Sequence, residues 1–295
     1  MIKSILVIGG TSQLGQSIKA VAASYPNYKF VFTNRQLLDL NNIQSIKHFF
    51  QDKSFDFIIN CAAYTNVANA ESEQKLANNI NNLAVKKLAE IVLQLDTKLI
   101  HISTDYVFNG KQNIPYIETD TVEPQGVYGE TKRQGEKAIQ KILKYNGLII
   151  RTSWMYSEYG NNFVKTMLRL GEARNDLNII FDQVGTPTYS ADLANIILNI
   201  IQSDKVNQPK FKTAIYHFSN EGVCSWYDFA KAIFDISATK CNVRPIETSN
   251  YPDVVNRPHY SVLNKAKIKR HYNLTIPYWK DSLQQCLKNL QENKL

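Results

Sequence analysis

A chain of 295 residues with 44% hydrophobic content is long enough for one large α/β unit with an appended lobe, or for two small domains. No segment reaches the roughly 20 uninterrupted apolar residues of a membrane span, and no signal-peptide-like apolar stretch precedes the first strand, so a cytoplasmic protein with no membrane contact is expected. The net charge of +8 is spread along the chain, its densest cluster (Lys265, Lys267, Lys269, Arg270) reads as a solvated face, and a nucleotide-bearing small molecule suits that charge better than nucleic acid does.

The first apolar run, SILVIG, passes directly into GGTSQLG, Gly9 to Gly15, and a helix is expected from about Gln13. A strand that turns at once into a helix and lets a pyrophosphate approach its backbone needs residues without a Cβ at the turn and at the helix–strand contact. Gly9 and Gly15 meet those needs. Ser12 stands where the G-x-x-G-x-x-G frame would put its middle glycine, and its hydroxyl can hydrogen-bond phosphate. Gly9, Thr11, Ser12, Gln13, Leu14 and Gly15 are therefore candidate cofactor-binding residues.

The alternation continues with YKFVFT and a helix from Ile43, FDFIINCAA and a helix from Ser72, TKLIHIS and a helix over Gly129 to Lys144, then GLIIRTS. Strands alternating with helices predict an α/β fold: a doubly wound, Rossmann-like parallel sheet whose ligands sit beyond the carboxyl ends of the strands. On that rim fall Thr33 to Arg35, Ala62 to Tyr64 and Thr65, Ser103 to Phe108, and Thr152 to Tyr156; Ala62, Ala63 and Tyr64 join the cofactor candidates. A dinucleotide-binding unit is expected over 1–156. From residue 157 the pattern loosens, with helices expected at 161–173, 190–202, 225–236 and 280–292 and strands near 178–181, 215–218 and 243–246. This half, 157–295, reads as the last sheet strands interleaved with a smaller C-terminal substrate-binding lobe. In it Trp226, Phe229 and Ile233 form a helical stripe expected in the core.

The second strand ends in Thr33, Asn34 and Arg35, without the carboxylate that binds a ribose diol in NAD-specific folds. A guanidinium there can fork onto a 2′-phosphate, so NADPH is favoured, without excluding NADH. The cysteines Cys61, Cys224, Cys241 and Cys286 include no C-x-x-C pair and read as buried free thiols, and the five histidines are scattered; no protein-built metal site is expected.

HISTDYVFNG closes the fourth strand, and VYGETKRQGEKAI follows about twenty residues on. Tyr128 and Lys132 lie four apart and share a helix face. A phenol is a slow proton donor at neutral pH, and an ammonium beside it would lower its pKa toward working range. A hydroxyl at the strand end, from Thr104 or Ser103, could share developing alkoxide charge. Y-x-x-x-K alone is common by chance; its place after a dinucleotide-type start and an STD strand end is what marks it.

This pair, with the upstream hydroxyl, resembles the short-chain dehydrogenase/reductase superfamily. NCAAYTNVANAESE, STDYVFNG, YGETKRQGE, RTSWMYSEYGNNFVKTMLRL, DQVGTPTYSADLA, YHFSNEGVCSWYDFAKAI and RPHYSVL together resemble the dTDP-4-dehydrorhamnose reductases of its extended, nucleotide-sugar branch, from about residue 5 to 264. The resemblance implies NADPH-dependent reduction of C4 of dTDP-6-deoxy-L-lyxo-4-hexulose to dTDP-L-rhamnose. It implies that Tyr128 donates the proton, Lys132 tunes it and holds the nicotinamide ribose, and Thr104 orients the keto oxygen. Asp105, Tyr106 and Trp154 would contact the sugar, Asp39 and Leu40 would lie near the adenine, and Asn81 would support the lysine. Arg257 reads equally as a substrate-phosphate clamp or as a structural arginine. The resemblance also permits a homodimer and a bridging Mg2+, neither of which the residues themselves indicate. Ser12 and Ala68, the latter standing where many relatives carry aspartate, depart from the family pattern. A reductase for another nucleotide-linked 4-keto-6-deoxyhexose and a catalytically silent regulatory subunit on the same fold are the alternatives.

Overall fold

The computed structural model describes residues 2–251 and 257–292. Through the first half it alternates as the apolar runs require: β1 (Lys3–Ile8), α1 (Gln13–Val21), β2 (Tyr28–Thr33), α2 (Ile43–Phe49), β3 (Phe57–Asn60), then α3 (Val67–Ala70), α4 (Gln74–Asn78) and α5 (Ala84–Gln94), followed by β4 (Lys98–Thr104), α6 (Val127–Ile142) and β5 (Gly147–Thr152). The second half adds β6 (Met155–Tyr156), α7 (Phe163–Ala173), β7 (Asp176–Ile180), β8 (Val184–Gly185), β9 (Thr188–Tyr189), α8 (Ser190–Gln202), α9 (Asp204–Asn207), β10 (Ala214–His217), β11 (Cys224–Ser225), α10 (Trp226–Ser237), β12 (Asn242–Ile246), α11 (Ala266–Tyr272) and α12 (Trp279–Glu292).

The central sheet runs β10-β5-β4-β3-β1-β2, and every pairing in it is parallel. From β1 the chain builds outward to β2, then returns to lay β3, β4 and β5 on the other side. The crevice of such a sheet opens at that reversal, beyond the carboxyl ends of β1 and β3. Both faces are covered, which explains why the strands are apolar throughout rather than alternating. Ile5, Val7, Ile59 and Ile150 pack under α1 and α8 through Leu14, Ile18, Leu193 and Ile197, while Leu6, Ile58, Leu99 and Ile149 pack under α5 and α6 through Val85, Leu88 and Ile139. A third apolar cluster, including Val164, Phe229, Ile233, Trp279 and Leu283, joins α7, α10 and α12. β7 and β12 form a separate parallel pair, and Pro245 fits there because β12 has a neighbour on one side only.

Four expectations are corrected. The helix foreseen from Ser72 is interrupted: α4 and α5 are joined by a π-helical turn, Asn79–Leu83. The basic cluster is not a solvated face, since Lys265 and Lys269 both pair with Glu221 and Lys267 donates to the Ile215 carbonyl; it lies on α11, a helix the sequence reading did not contain. Cys61 and Cys241 are only partly buried, unlike Cys224 and Cys286. Trp226 is only partly buried: it packs against the cluster of Phe229 and Ile233 from its margin and stacks on Trp154.

β5 and α6 are tied by an ion pair with both side chains 3% exposed: Arg151 Nη2 and Nε donate to the two Glu136 carboxylate oxygens at 2.7 and 2.9 Å. Removing one partner of such a pair strands a charge in the interior. Glu136→Ala is therefore expected to lower unfolding free energy by about 3–5 kcal/mol, to be checked by urea denaturation at neutral pH; a loss below about 1 kcal/mol would contradict it.

Candidate active site

The site is built where β1 ends. Gly9 has φ +79°, a left-handed conformation, and a Cβ on it would stand 2.9 Å from Ala62 at the end of β3. A Cβ on Gly15 would stand 2.2 Å from the Gly9 carbonyl. These two contacts let the turn fold back beneath the first turn of α1, whose exposed N–H groups favour an anion. Ser12 is the N-cap of that helix: its Oγ accepts from Gly15 N–H at 3.1 Å, leaving the hydroxyl hydrogen to donate outward. Gln13 spends its side-chain oxygen elsewhere, accepting from Ser157 at 2.8 Å and Asn162 at 3.0 Å, so it bridges the turn to the 157–162 loop. Leu14 points into the core, and Thr11 is exposed.

Beyond β2, Asn34 Oδ1 accepts from Leu37 N–H at 3.0 Å, and the exposed Arg35 lies with Nε 3.5 Å from an Asp39 oxygen. Asp39 also accepts from Asn41 N–H at 3.0 Å. Leu40 is buried in the apolar cluster under α5 and α6. Beyond β3, Ala62, Ala63 and Tyr64 are half-buried. Asn81, in the π-helical turn, exchanges bonds with Tyr64 N–H (2.9 Å) and C=O (3.0 Å) and donates to Thr131 Oγ1 at 3.2 Å. Its contact on α6 is thus Thr131, the neighbour of Lys132, rather than Lys132 itself.

The start of α6 meets the end of β4 closely enough that a Cβ on Gly129 would stand 2.2 Å from the Tyr106 carbonyl. Gly126, the N-cap, has no side chain to satisfy the first helical N–H. Glu71, following α3, supplies the acceptor, taking Val127 N–H at 2.8 Å and placing a carboxylate at the positive end of the helix that carries Tyr128. Tyr128 and Tyr106 meet edge to face, ring centres 5.5 Å apart. Thr104 is 4% exposed, donates to Asp105 Oδ1 at 3.0 Å and accepts from Tyr106 N–H at 3.2 Å.

The electrostatics differ from the sequence expectation. Burial drives the Tyr128 phenol above its ordinary pKa, a hydrogen bond from Thr104 pulls it back, and Asp105 and Tyr106 push it further up. Lys132 does not offset this: its Nζ donates to the Ile102 carbonyl at 2.6 Å and sits 3.5 Å from His101 Nε2. Burial lowers Lys132 to about 8, opposed by the charge of Glu136. Burial also raises Asp105 to about 6, against the lowering effect of hydrogen bonds from Ser261 and Thr104.

A cleft of about 180 Å³ opens beside these groups, lined by Glu71, Tyr106, Phe108, Gly126, Tyr128 and Pro258 among others. Trp154 follows the carboxyl end of β5, beside β4. It holds φ +47°, its ring stacks on Trp226 at 3.5 Å and 10°, and Gly185 leaves the room it occupies, since a Cβ there would come within 2.7 Å of the indole and 2.8 Å of Ser261. Arg257 Nη1 lies 3.5 Å from the Tyr106 hydroxyl. The structure thus gathers Thr104, Asp105, Tyr106, Tyr128, Lys132, Trp154 and Arg257 on one rim. Sequence reading missed Glu71, His101 and Trp226; Glu71 stood in the quoted ANAESE segment, but nothing local says which helix it caps.

The family model described as RmlD substrate binding domain matches residues 3–292. A dTDP-4-dehydrorhamnose reductase of Aggregatibacter actinomycetemcomitans is 38% identical, over 97% of this chain and 98% of its own. Among solved structures, a dTDP-4-dehydrorhamnose reductase from Clostridium acetobutylicum ATCC 824 superposes with TM-score 0.91 at 37% identity, covering 98% of this chain and 99% of that one. The enzyme of the same designation from Bacillus anthracis str. Ames, solved in complex with NADP, gives TM-score 0.91 at 35% identity over 98% of this chain and 100% of its own.

The lowered pKa of Lys132 has a stability consequence. Below pH 8 the amine is charged in both folded and unfolded chains, and the fold bears the whole penalty of burying it. Between about 8 and 10.5 the folded state releases the proton while the unfolded state keeps it, so this group's contribution makes stability rise with pH. Lys132→Met is expected to stabilise the protein at pH 7 by about 1–3 kcal/mol and to remove that rise, as read from denaturation curves at several pH values. Glu71→Ala is expected to cost about 1 kcal/mol and to lower kcat with little change in the cofactor KM, measured by steady-state kinetics.

Proposed function

We infer, since the chain belongs to the RmlD substrate binding domain family, that it is an NADPH-dependent oxidoreductase reducing the C4 ketone of dTDP-4-dehydro-β-L-rhamnose to dTDP-L-rhamnose. The observation that carries the site assignment is the meeting of Tyr128, Thr104 and Asp105 at the carboxyl end of β4, beside a cleft and across the sheet reversal from the glycine turn.

The residues present fit the cofactor. The turn made by Gly9 and Gly15 leaves no room for a Cβ and exposes the N-terminus of α1, which would hold the pyrophosphate. Arg35, at the end of β2, would take the 2′-phosphate; its Nε is turned to Asp39, leaving the outer nitrogens for a bidentate contact. When bound, the reduced nicotinamide supplies a hydride to the carbonyl carbon. The protein supplies the proton: the Tyr128 hydroxyl gives its hydrogen to the carbonyl oxygen, and the O–H pair stays with the phenolate. The single Thr104 hydrogen, given to Asp105 Oδ1 in the structure, would turn to the same oxygen when the ketone binds and share its developing charge. Lys132, one helical turn on and with Nζ on the Ile102 carbonyl in the structure, would turn to hold the nicotinamide ribose, where its positive charge would favour the phenolate left behind. Asp105, Tyr106 and Trp154 face the sugar, with Arg257 near its phosphates. Residues 1–156 serve the cofactor, and the 157–295 half, which returns β10 and α8 to the sheet and otherwise packs as the α7, α10 and α12 cluster, serves the substrate.

Following NADPH absorbance with dTDP-4-dehydro-β-L-rhamnose tests the reading. Tyr128→Phe is expected to lower kcat by about 10²- to 10⁴-fold while the NADPH KM stays near the parent value; parent-level turnover would sink the assignment. Arg35→Asp is expected to raise the NADPH KM about tenfold or more relative to that for NADH, since it replaces a phosphate partner with a like charge.

A further inference from the structure

Lys132 is 2% exposed, and its surroundings do more than bury it. From β4 it meets the Ile102 carbonyl, which accepts from Nζ at 2.6 Å, and the imidazole of His101, whose Nε2 lies 3.5 Å away. From its own helix it feels the charge of Glu136, to which Arg151 of β5 is committed. His101 is fully buried, and burial together with the charge of Lys132 keeps it neutral. A neutral imidazole has one N–H and one bare nitrogen, so what it offers Lys132 depends on which nitrogen carries the hydrogen.

The other side of the ring answers that. Asn60, paired with His101 across β3 and β4, is 1% exposed, and its Nδ2 lies 3.1 Å from His101 Nδ1. The amide cannot be turned over without loss, because Asn60 Oδ1 accepts the Ala62 N–H at 3.2 Å. With the oxygen held by Ala62, Nδ2 must donate, Nδ1 must accept, and the ring hydrogen must sit on Nε2, aimed at the lysine. A neutral amine can accept that N–H. An ammonium cannot, and it meets a donor instead.

We propose that Asn60 and His101 are positioning residues that set the proton balance of Lys132: the Ala62 backbone fixes the Asn60 amide, the amide fixes the His101 tautomer, and the resulting Nε2–H favours the uncharged amine. The proposal rests on the catalytic role assigned to Lys132 above. Its consequence is that Lys132 exchanges its proton within the working pH range, and that Ala62, which touches the glycine turn through Gly9, ties that balance to the loop beside the cofactor site.

The direct test needs no variant. With 15N-histidine labelling, long-range 1H–15N spectra of the whole protein distinguish the two neutral tautomers, and the His101 signals are assigned by their loss in His101→Gln. Hydrogen on Nε2 is the expected result; hydrogen on Nδ1 overturns the proposal. In Asn60→Asp, a carboxylate can still accept from Ala62 but draws the ring hydrogen to Nδ1, turning a bare Nε2 toward Lys132. The alkaline limb of the kcat profile, expected near pH 8 in the parent, is then expected to move up by about one unit. An equal loss of kcat at every pH, with the limb unmoved, would indicate a merely structural role and overturn the proposal. Absence of ketosugar turnover in the parent enzyme would defeat the functional reading alone, because the tautomer is read without substrate.

Discussion

A primary amine held inside the sheet–helix boundary is the constraint around which this molecule is arranged. Lys132 lies on the buried face of α6, and an isolated ammonium there would be untenable, so each neighbouring element contributes something to it: β4 a carbonyl at 2.6 Å, α6 the carboxylate of Glu136, and β5 the arginine that holds that carboxylate in place. The arrangement is polar yet closed to water. It leaves the amine near 8, where gaining or losing a proton is inexpensive close to neutral pH. Stability is sacrificed at this point for a group that can change its charge.

Two close approaches determine where that group sits relative to its partners. At the end of β1, Gly9 and Gly15 bring the turn against Ala62 and beneath α1. At the start of α6, Gly129 brings the helix against the Tyr106 carbonyl. Both bring backbone to backbone with no side chain between, which fixes distance more firmly than packing of flexible groups would. Tyr128, adjacent to Gly129, is aimed by this contact and by the carboxylate of Glu71 at the helix end. Trp154 follows the same logic with bulk in place of closeness. Its left-handed backbone and its stack on Trp226 hold a large aromatic plane beyond the carboxyl end of β5, and Gly185 leaves the space for it.

The second half of the chain meets this frame through the apolar face of α8, and buried polar contacts fix the elements of that half against one another. Asn220 donates to Asp192 and Ser282 and gives its oxygen to Tyr189 N–H, while Tyr189, Glu158 and Asn289 form a second such cluster that anchors α12. Satisfied groups of this kind specify one docking geometry, whereas apolar contact alone would tolerate sliding. The Gln13 side chain holds the 157–162 loop, so the glycine turn and the second half are mechanically linked.

The alternation of strands and helices, the glycine turn and the Tyr128–Lys132 face were legible in the sequence because each depends on neighbours within a few positions: apolar runs with short breaks, residues lacking a Cβ at fixed offsets, and the four-residue spacing of a helix face. The chain alone therefore determined an α/β parallel sheet, the edge at which ligands gather, and the chemical type of the groups there. It did not determine which way those groups point. The Lys132 ammonium turns to the Ile102 carbonyl rather than to the phenol, Leu40 is buried, Trp226 sits at the margin of its cluster against Trp154, and the basic cluster folds onto Glu221 and the Ile215 carbonyl. His101, Asn60 and Glu71 stood in plain view without a role, since their partners lie 31, 41 and 56 positions away. Only tertiary packing decided these, because the burial and hydrogen-bond partners that set a side chain's direction and charge come from segments brought together by the fold, and no local pattern encodes such distances.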